Sequence, residues 1–488
     1  MIGLLILVIG LAGQWLLGVF IAQKVLTYRR HLTPTLAELS GLGCAVGIGA
    51  TAWSLFLWSF CGGPLGILPS LVLTVIGYLT GGPILLLRLR AARTECPALL
   101  ALSNVERHEW AVCRACQALI AFLFVACVLQ TLQTPQKLWD ERAIFAIKAE
   151  VLFEDRSIRS PALVHPDFVQ YHPRYPLLLP LAEEHIYALL GFVDDRLSKI
   201  VFSLLYLGLV LATAGVLQRH VVRARAWLGA LILATIPVLM PYEYGFLCGQ
   251  ADAPVACYHG LSVLYLWDGL RRQKRGDNSS GSVLMAGICG GMGAFTKDEG
   301  IAYLMIDAMI LGLFTLGSLR SLTQFRTLLR AVAMFVITAG SMLVPWLMHR
   351  RTLPLTTEMN YFGRMTVPLF LGRLDTLSWA VPHLLRRMFW EWREWSLAWW
   401  LMLAAFVSRP LRAIELPQAL LILDVLGALA SLLVAGMLAP AQLDEHLGGS
   451  SHRFLMQISP VAVFFAVSMF YDDEEEVPSP SANAEAVS

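Results

Sequence analysis

Long hydrophobic runs alternate with short charged clusters along almost the whole chain. A soluble core would distribute its apolar residues with the period of a helix or a strand, whereas uninterrupted runs are typical of membrane-spanning helices. At about 20 apolar residues per crossing, the pattern predicts roughly 13 spans. These spans are residues 2–23, 38–60, 66–87, 110–132, 198–217, 227–242, 251–269, 283–296, 300–318, 331–348, 396–407, 418–439 and 454–471. The sequence therefore predicts an all-α polytopic membrane protein.

Composition supports this class of protein. The 488 residues are 57% hydrophobic and 15% charged, whereas soluble domains are about 45–50% apolar and about 25% charged. The 37 Lys and Arg residues nearly balance the 35 Asp and Glu residues, so the basic surplus that nucleic-acid binding needs is missing. The nine cysteines lie mostly in apolar runs and indicate no disulfide framework. We interpret Cys113 and Cys116 as small apolar fillers, not as a zinc or redox site.

The distribution of basic residues predicts the orientation of the chain. Clusters of Lys and Arg follow the odd-numbered spans, as at residues 88–93 and 271–275. The positive-inside rule then places these loops in the cytoplasm and the N-terminus outside. The first run lacks a basic region before it and an A-x-A-like cleavage site, so we expect a retained helix and not a signal peptide. Arg350 and Arg351, at the start of a long outer loop, are the exception.

This orientation collects the polar segments on the non-cytoplasmic side. They are the outer loops 133–197 and 349–396 and the shorter segments 242–252, 296–300 and 443–454. Polar groups close to membrane depth are costly and usually functional. We divide the chain into a three-helix N-terminal transmembrane module (1–105), a second transmembrane domain (106–470) that carries the outer polar segments, and an acidic, disordered cytoplasmic tail (471–488).

The segment 139–155 follows the fourth span and has the apolar spacing of a helix that lies in the membrane interface. Asp140 and Glu141 stand at its start. A carboxylate in this position can accept a proton from a hydroxyl nucleophile. The alternative is an ordinary ion pair with Arg142 or Lys148, and the motif alone gives the two interpretations about even weight.

Three prolines interrupt the segment 171–191 and forbid a continuous helix across its start. Irregular backbone near a membrane is tolerated where it packs on protein or lines a cavity. His172 and Arg174, with Tyr175 beside them, then direct polar groups toward that cavity and are candidates for binding an anion such as phosphate. The alternative is that Arg174 extends to lipid headgroups.

The glycine-rich run 287–293 ends at Thr296, Lys297, Asp298 and Glu299, near the predicted outer boundary of the membrane. Lys297 is a candidate for neutralising a phosphate leaving group. The alternative is a salt bridge with one of the two neighbouring carboxylates.

Two further segments carry candidate residues. Asp252 begins a predicted helix, where its default role is that of an N-cap. His452 and Arg453 stand just outside the last predicted span, where a cation can grip a lipid-linked phosphate or simply anchor in headgroups. The Trp-rich stretch 389–400 is typical of an interfacial aromatic belt, and its ring faces also suit stacking on sugars.

Taken in order, these segments resemble the C-fold membrane glycosyltransferases that use polyprenyl-phosphate sugars. The most similar branch is the protein O-mannosyltransferase and lipid A aminoarabinose transferase superfamily. The resemblance covers about residues 110 to 470. It rests on WDERAIFAIKAEVLF (139–153), HPRYPLLLPL (172–181), ADAP (251–254), TKDEG (296–300) and HRFLMQISP (452–460).

The resemblance implies a role for each matched residue. Asp140, with Glu141 beside it, corresponds to the catalytic base at the start of the first outer loop. Arg174 corresponds to the basic residue of the proline-rich segment. Thr296 and Lys297 correspond to a Thr-Lys pair, and Arg453 to a late basic residue near the final span. The first three spans depart from the family pattern, and the loop 349–396 is too small to recognise a protein acceptor by itself.

The expected activity is transfer of a single sugar from a polyprenyl phosphate to an acceptor hydroxyl on the outer face, with inversion, at a bacterial inner membrane facing the periplasm. The donor carries its own leaving group, and the chain has no P-loop and no credible Rossmann motif. No metal or cofactor is obligatory, although Asp140 with Glu141 could hold a divalent metal. The expected partners are membrane lipids, the lipid-linked sugar and a glycan, lipid or protein acceptor. A transporter or lipid flippase, or a non-catalytic scaffold, is the alternative.

Overall fold

The computed structural model describes residues 2–30, 32–94, 104–240, 243–355, 366–439 and 443–470. Within these ranges every regular element is a helix, and there is no β-strand. Nine of the described helices are long and apolar enough to cross a membrane. The described part of the chain therefore has the architecture of a polytopic helical membrane protein, as the sequence predicts.

The helices follow one another with short connections. In chain order the α-helices are α1 (Ile2–Leu26), α2 (Leu36–Phe60), α3 (Ile67–Thr94), α4 (Asn104–Gln133), α5 (Ile147–Asp155), α6 (Pro161–Val164), α7 (Leu178–Leu190), α8 (Ile200–Leu217), α9 (Arg223–Ala234), α10 (Asp252–Lys274), α11 (Ser280–Ala294), α12 (Asp298–Gly317), α13 (Leu322–Arg350), α14 (Val367–Leu371), α15 (Leu377–Trp390), α16 (Trp392–Trp395), α17 (Ala398–Ser408), α18 (Pro410–Ala413), α19 (Leu416–Leu438) and α20 (Leu443–Phe470). A π-helical turn covers Asp140–Ala146, and 3-10 turns cover Tyr28–Arg30, Pro166–Tyr171, Pro237–Leu239 and Leu374–Thr376.

The nine long apolar helices coincide with nine of the predicted spans. The other four predicted spans also contain helices, but three of these helices are short: α9 has 12 residues, α11 has 15 and α17 has 11. At 1.5 Å per residue, a 12-residue helix extends about 18 Å, well short of a hydrocarbon core of about 30 Å. The fourth, α10, has 23 residues but contains several charged ones. The total of 13 crossings stays a prediction.

Glycines let the first helices approach the rest of the protein closely. A Cβ atom on Gly18 of α1 would collide with the carbonyl oxygen of Gly43 in α2, and one on Gly41 would collide with the backbone of Ala212 in α8. Such close backbone contact replaces the hydrophobic drive that is missing between helices in lipid. The helices α1, α2 and α3 also pack against α7.

Two buried ion pairs connect the N-terminal end of α2 and the C-terminal part of α10 to the segment that follows α8. Arg219, which follows α8, pairs with Glu38 at the start of α2 and, at 2.8 Å, with Asp268 near the end of α10. Tyr265 donates a hydrogen bond to Glu38 at 2.6 Å, and His220 Nε2 lies 2.7 Å from Asp268. Because each buried charge has a partner, this network can fix the relative position of the three helices.

The predicted domain division stays a prediction. Its boundary near residue 105 adjoins residues 95–103, which lie outside the described residues, as does the predicted tail 471–488. The described contacts of α1, α2 and α3 with α7 and α8 connect the N-terminal helices directly to the rest of the chain.

The segment between α4 and α8 positions the candidate site. The π-helical turn at Asp140–Ala146 continues into α5, which agrees with the predicted helix at 139–155. The expected proline interruption is confirmed, because an irregular segment separates the turn at Pro166–Tyr171 from α7. All residues of α7 are buried, so this short helix is a central support and not a surface element.

Candidate active site

The carboxylate of Asp252 is the centre of a buried polar cluster at one end of α10. The N-cap residue of α10 is Ala251, and the Asp252 side chain does not cap the helix. Asp252 Oδ1 accepts hydrogen bonds from Lys297 Nζ at 2.9 Å and Gln457 Nε2 at 2.8 Å. Asp252 Oδ2 accepts from Arg453 Nε at 3.1 Å and Nη2 at 2.8 Å. The N-cap interpretation of Asp252 is therefore wrong, because two cations and an amide hold the carboxylate.

Arg453, in α20, joins Asp252 to Asp140. Its Nη2 atom lies 3.0 Å from Asp140 Oδ2. The side chain of Asp140 is 27% exposed, whereas that of Asp252 is 1% exposed. The ring of Tyr244 lies 5.4 Å from the Arg453 guanidinium carbon, in cation–π range. Asp140 is thus the accessible carboxylate of the pair, and Asp252 is the buried one.

Lys297 occupies the N-cap position of α12, where its backbone is extended and its side chain makes no capping hydrogen bond. Its Nζ atom lies 2.9 Å from Asp252 and 2.8 Å from Glu299 Oε1. Burial opposes the ammonium charge, but these two carboxylates outweigh the burial and raise the pKa of Lys297. The alternative given for Lys297, a salt bridge with a neighbouring carboxylate, is therefore present with Glu299, and Lys297 stays cationic.

We call Asp140, Asp252, Lys297, Glu299 and Arg453 the carboxylate cluster. It contains three carboxylates and two cations, so its cations are already neutralised by contacts within the protein. A phosphate would compete with Asp252 for both of them. The arrangement suits the holding of a general base better than the binding of an anion.

A second group of charged side chains contains more cations than carboxylates. The guanidinium of Arg350, at the end of α13, makes a two-point ion pair with Asp298, at 2.9 Å and 2.7 Å. Burial lowers the pKa of Arg174, and the charge of Arg350 adds to this effect while Asp298 opposes it. Arg174 therefore lies within electrostatic range of both. Its Nε atom is buried and has no hydrogen-bond partner among the described residues.

Lys148 completes this group. Burial lowers the pKa of Lys148 to about 7, against the opposing charge of Asp298. Its Nζ atom donates a hydrogen bond to the backbone oxygen of His172 at 2.8 Å and lies 5.6 Å from the centre of the Tyr175 ring. We call Lys148, Arg174, Arg350 and Asp298 the basic group. With three basic side chains and one carboxylate, it has the charge to bind an anion.

The two groups meet at the start of α12. Lys297 and Glu299 belong to the carboxylate cluster, and Asp298 between them belongs to the basic group. The first turn of α12 therefore contributes a side chain to each of the two groups.

A largely apolar cavity of about 430 Å³ opens beside the end of α13. Its lining includes Phe60, Ile158, Met348 and Leu353, with Arg159 as the charged member. Met348 and His349, which line it, belong to the last turn of α13, the helix that ends at Arg350. A cavity of this kind suits a hydrocarbon chain.

The remaining predicted site residues have other contacts. The hydroxyl of Thr296 donates to the Met292 backbone oxygen at 2.8 Å, which caps the end of α11. The ring of His172 stacks on Tyr175 at 5.3 Å. The ring of His452 packs edge-on against Tyr244 at 4.5 Å, next to Arg453.

Glu141 is the clearest departure from the expected site. Its Oε2 atom accepts hydrogen bonds from the backbone N–H groups of Lys137 and Leu138, at 2.8 Å and 2.9 Å. Its Oε1 atom accepts from the Gly249 N–H at 2.6 Å, and Lys199 lies 3.8 Å away. The side chain is fully buried. The structure therefore does not bring Glu141 into the carboxylate cluster with Asp140, and its contacts favour a structural role over a catalytic or metal-binding one.

Sequence reasoning left out several residues that the structure brings to the site. Arg350 had a signal, because it breaks the positive-inside pattern at the mouth of an outer loop. Gln457 also had one: it is a polar residue in an apolar run, one helical turn from Arg453. Asp298 and Tyr244 gave no such signal, because the residues that they contact, Arg350 and Arg453, lie on distant segments of the chain.

No protein-family model matches the chain, and no curated protein is significantly similar to it. The geometry of the two charged groups is therefore what carries the argument about function.

Proposed function

We propose that the protein is an integral-membrane glycosyltransferase of the C-fold class, which transfers a single sugar from a polyprenyl-phosphate donor to an acceptor hydroxyl. The observation that carries this proposal is the meeting of an accessible, Arg453-bound carboxylate, Asp140, with an adjacent basic group. The acidic and basic residues of the two groups come from six segments of the chain, namely 140–148, Arg174, Asp252, 297–299, Arg350 and Arg453.

The reaction requires a general base for the acceptor hydroxyl and an anion site for the departing phosphate. The acceptor hydroxyl attacks the anomeric carbon and gives its proton to the Asp140 carboxylate. The bond from the anomeric carbon to the phosphate oxygen breaks, and the polyprenyl phosphate leaves with the electron pair. A single displacement of this kind inverts the anomeric centre. Arg453, which contacts Asp140 at 3.0 Å, orients the carboxylate and is an ionic partner for its basic form.

The donor phosphate is assigned to the basic group and not to Lys297 or Arg453. These two cations are engaged by Asp252, whereas the Nε atom of Arg174 lacks a hydrogen-bond partner in the described part of the chain. A phosphate oxygen at that atom would satisfy a buried donor and gain a charge-assisted hydrogen bond. The apolar cavity next to α13 supports a prenyl chain as the rest of the ligand.

The orientation belongs to the same proposal. With the basic loops in the cytoplasm, both charged groups face the non-cytoplasmic side of the membrane, the periplasm in a bacterial inner membrane. The acceptor is then a glycan, lipid or protein hydroxyl on that side.

The test is a transfer assay with purified protein and labelled polyprenyl-phosphate sugars. We expect Asp140→Asn to abolish transfer while binding of the labelled donor survives. The matched control is Asp277→Asn, at an exposed carboxylate between α10 and α11, which leaves transfer unchanged. Full turnover by Asp140→Asn would remove Asp140 from the mechanism, and failure of every donor in the panel to bind would reject the proposed substrate class.

A further inference from the structure

A second buried cluster lies away from both charged groups, in the middle of three long helices. It consists of His259 in α10, Asp307 in α12 and Asp424 in α19, and all three side chains are buried. One nitrogen or oxygen atom from each lies within 4.8 Å of the others. His259 Nε2 is 3.0 Å from Asp424 Oδ1, a separation that two ligands of one cation have when each bond is about 2.1 Å.

Each of the two carboxyl groups contacts a neighbour through one oxygen and, within the described part of the chain, lacks a hydrogen-bond donor at the other. Asp307 Oδ1 and Asp424 Oδ2 are buried and have no hydrogen-bond partner among the described residues. An isolated buried carboxylate costs several kcal/mol, so carboxylates at this depth are paired, protonated or bound to a metal. Asp307 and Asp424 lie in two of the described helices that are long and apolar enough to cross a membrane, where ionisable residues are rare and usually functional.

The second nitrogen of the imidazole is already held in the way that metal-binding histidines are held. His259 Nδ1 lies 3.2 Å from the backbone oxygen of Gln457. A carbonyl can only accept, so Nδ1 carries a proton, and a cation that replaces the proton on Nε2 would meet the lone pair of that nitrogen. The Tyr303 ring stacks on the imidazole at 4.2 Å, and the Ser262 hydroxyl donates to Asp307 Oδ2 at 3.3 Å. These contacts orient two of the three ligands.

We propose that His259, Asp307 and Asp424 bind one divalent transition-metal cation. A neutral imidazole and two carboxylates carry a charge of about −2, which a single divalent cation cancels while it satisfies both unpartnered oxygens. One nitrogen and two carboxylate oxygens form a donor set that suits Zn²⁺ or Mn²⁺, and the nitrogen disfavours Ca²⁺ and Mg²⁺.

Gln457 connects this site to the carboxylate cluster. Its side-chain amide donates to Asp252 Oδ1 at 2.8 Å and accepts from Tyr303 Oη at 2.7 Å. Its backbone oxygen faces His259. The cation would therefore help to hold Gln457 of α20 in place, and through Gln457 the carboxylate of Asp252. It would not contact a substrate. The metal site stands whether or not the protein transfers sugars.

The test is metal content, measured on the full-length protein in detergent. Bound metal is removed with a chelator, and the protein is reloaded with Zn²⁺ or Mn²⁺ and desalted. Its metal content is then measured by inductively coupled plasma mass spectrometry. We expect about one metal ion per chain in the unmodified protein and in the Asp277→Asn control. In Asp307→Asn and Asp424→Asn we expect binding to weaken about 100-fold or more, because each variant loses a direct ligand, and even indirect supports of a site contribute about 10- to 100-fold.

A second measurement covers the case in which the variants fail to fold. Titration of the unmodified, stripped protein with Co²⁺ gives visible absorption bands when cobalt takes nitrogen and carboxylate ligands, and Zn²⁺ displaces them. Bands at one equivalent support the site. If the unmodified protein neither retains Zn²⁺ or Mn²⁺ nor develops these bands, protons hold the cluster together and the metal proposal is overturned. Equal metal content in the folded variants overturns it as well.

Discussion

The guanidinium of Arg453 lies 3.0 Å from the Asp140 carboxylate, although 313 residues separate the two along the chain. The same guanidinium holds Asp252 with two of its nitrogen atoms. One side chain from the last described helix therefore sets the position of both an accessible and a buried carboxylate. This contact joins the last described helix to the segment that follows α4.

The pairing of Arg453 with Asp252 predicts a non-additive stability effect. Arg453→Gln leaves a carboxylate that is 1% exposed with one cation fewer, and we expect the free energy of unfolding to fall by about 3 kcal/mol. Asp252→Asn in the same chain removes the uncompensated charge. The double variant should then be more stable than the sum of the single changes predicts. Thermal unfolding in detergent measures all four proteins, and strict additivity would show that the pair is not coupled.

The contrast between Asp140 and Glu141 gives a matched pair of variants. Asp140→Asn should abolish transfer with little change in stability, because its side chain is partly exposed and makes one ion pair. Glu141→Gln should lower the free energy of unfolding by about 1–3 kcal/mol. Both carboxylate oxygens of Glu141 accept hydrogen bonds from backbone N–H groups, and the NH₂ group of glutamine would place a donor where one of these acceptors stands. The folded fraction of Glu141→Gln should turn over within about twofold of the unmodified protein. Loss of turnover in Glu141→Gln at unchanged stability would return Glu141 to the catalytic role.

Arg174 is expected to act on donor binding. Replacing it by Gln removes the cation with the unsatisfied Nε atom, and hydrogen bonds to charged groups contribute about 1.5–3 kcal/mol. The dissociation constant of a labelled polyprenyl phosphate should rise about 10- to 100-fold. Arg320→Gln, at an exposed position after α12, is the control and should bind normally. Normal donor binding by the Arg174 variant would instead place the phosphate at Lys297 and Arg453.

Much of the architecture was readable from the sequence because the membrane imposes a local rule. Every backbone group in lipid must be satisfied within a helix, so a long apolar run is a helix wherever it stands. Helix ends were less predictable. The predicted span at 227–242 becomes α9, which ends at Ala234, since Pro237 cannot donate the hydrogen bond that would continue it.

The site was readable only in part. The charged residues near predicted span ends include Asp140, Lys297 and Arg453, because charges at membrane depth are rare enough to stand out. Their partners were not readable, since the choice among them depends on how distant helices pack. Asp140 and Glu141 are adjacent carboxylates with the same composition around them. Only the backbone direction of the π-helical turn separates the one that faces Arg453 from the one that faces Gly249.

The buried Lys148 predicts a pH dependence with a definite sign. Its pKa is lowered from 10.5 to about 7 by burial. Between these two values the unfolded chain binds a proton that the folded chain has released, so raising the pH favours the folded state. The free energy of unfolding of the unmodified protein, relative to Lys148→Met, should increase by up to about 1.4 kcal/mol per pH unit between pH 7 and 9.

Taking the difference between the two proteins removes the contributions of other groups. Burial raises the pKa of Glu184 to about 8, which lowers stability with rising pH up to that value, but Glu184 is present in both. A constant difference for Lys148→Met would mean that Lys148 is protonated throughout this range. The basic group would then carry its full positive charge without a bound anion.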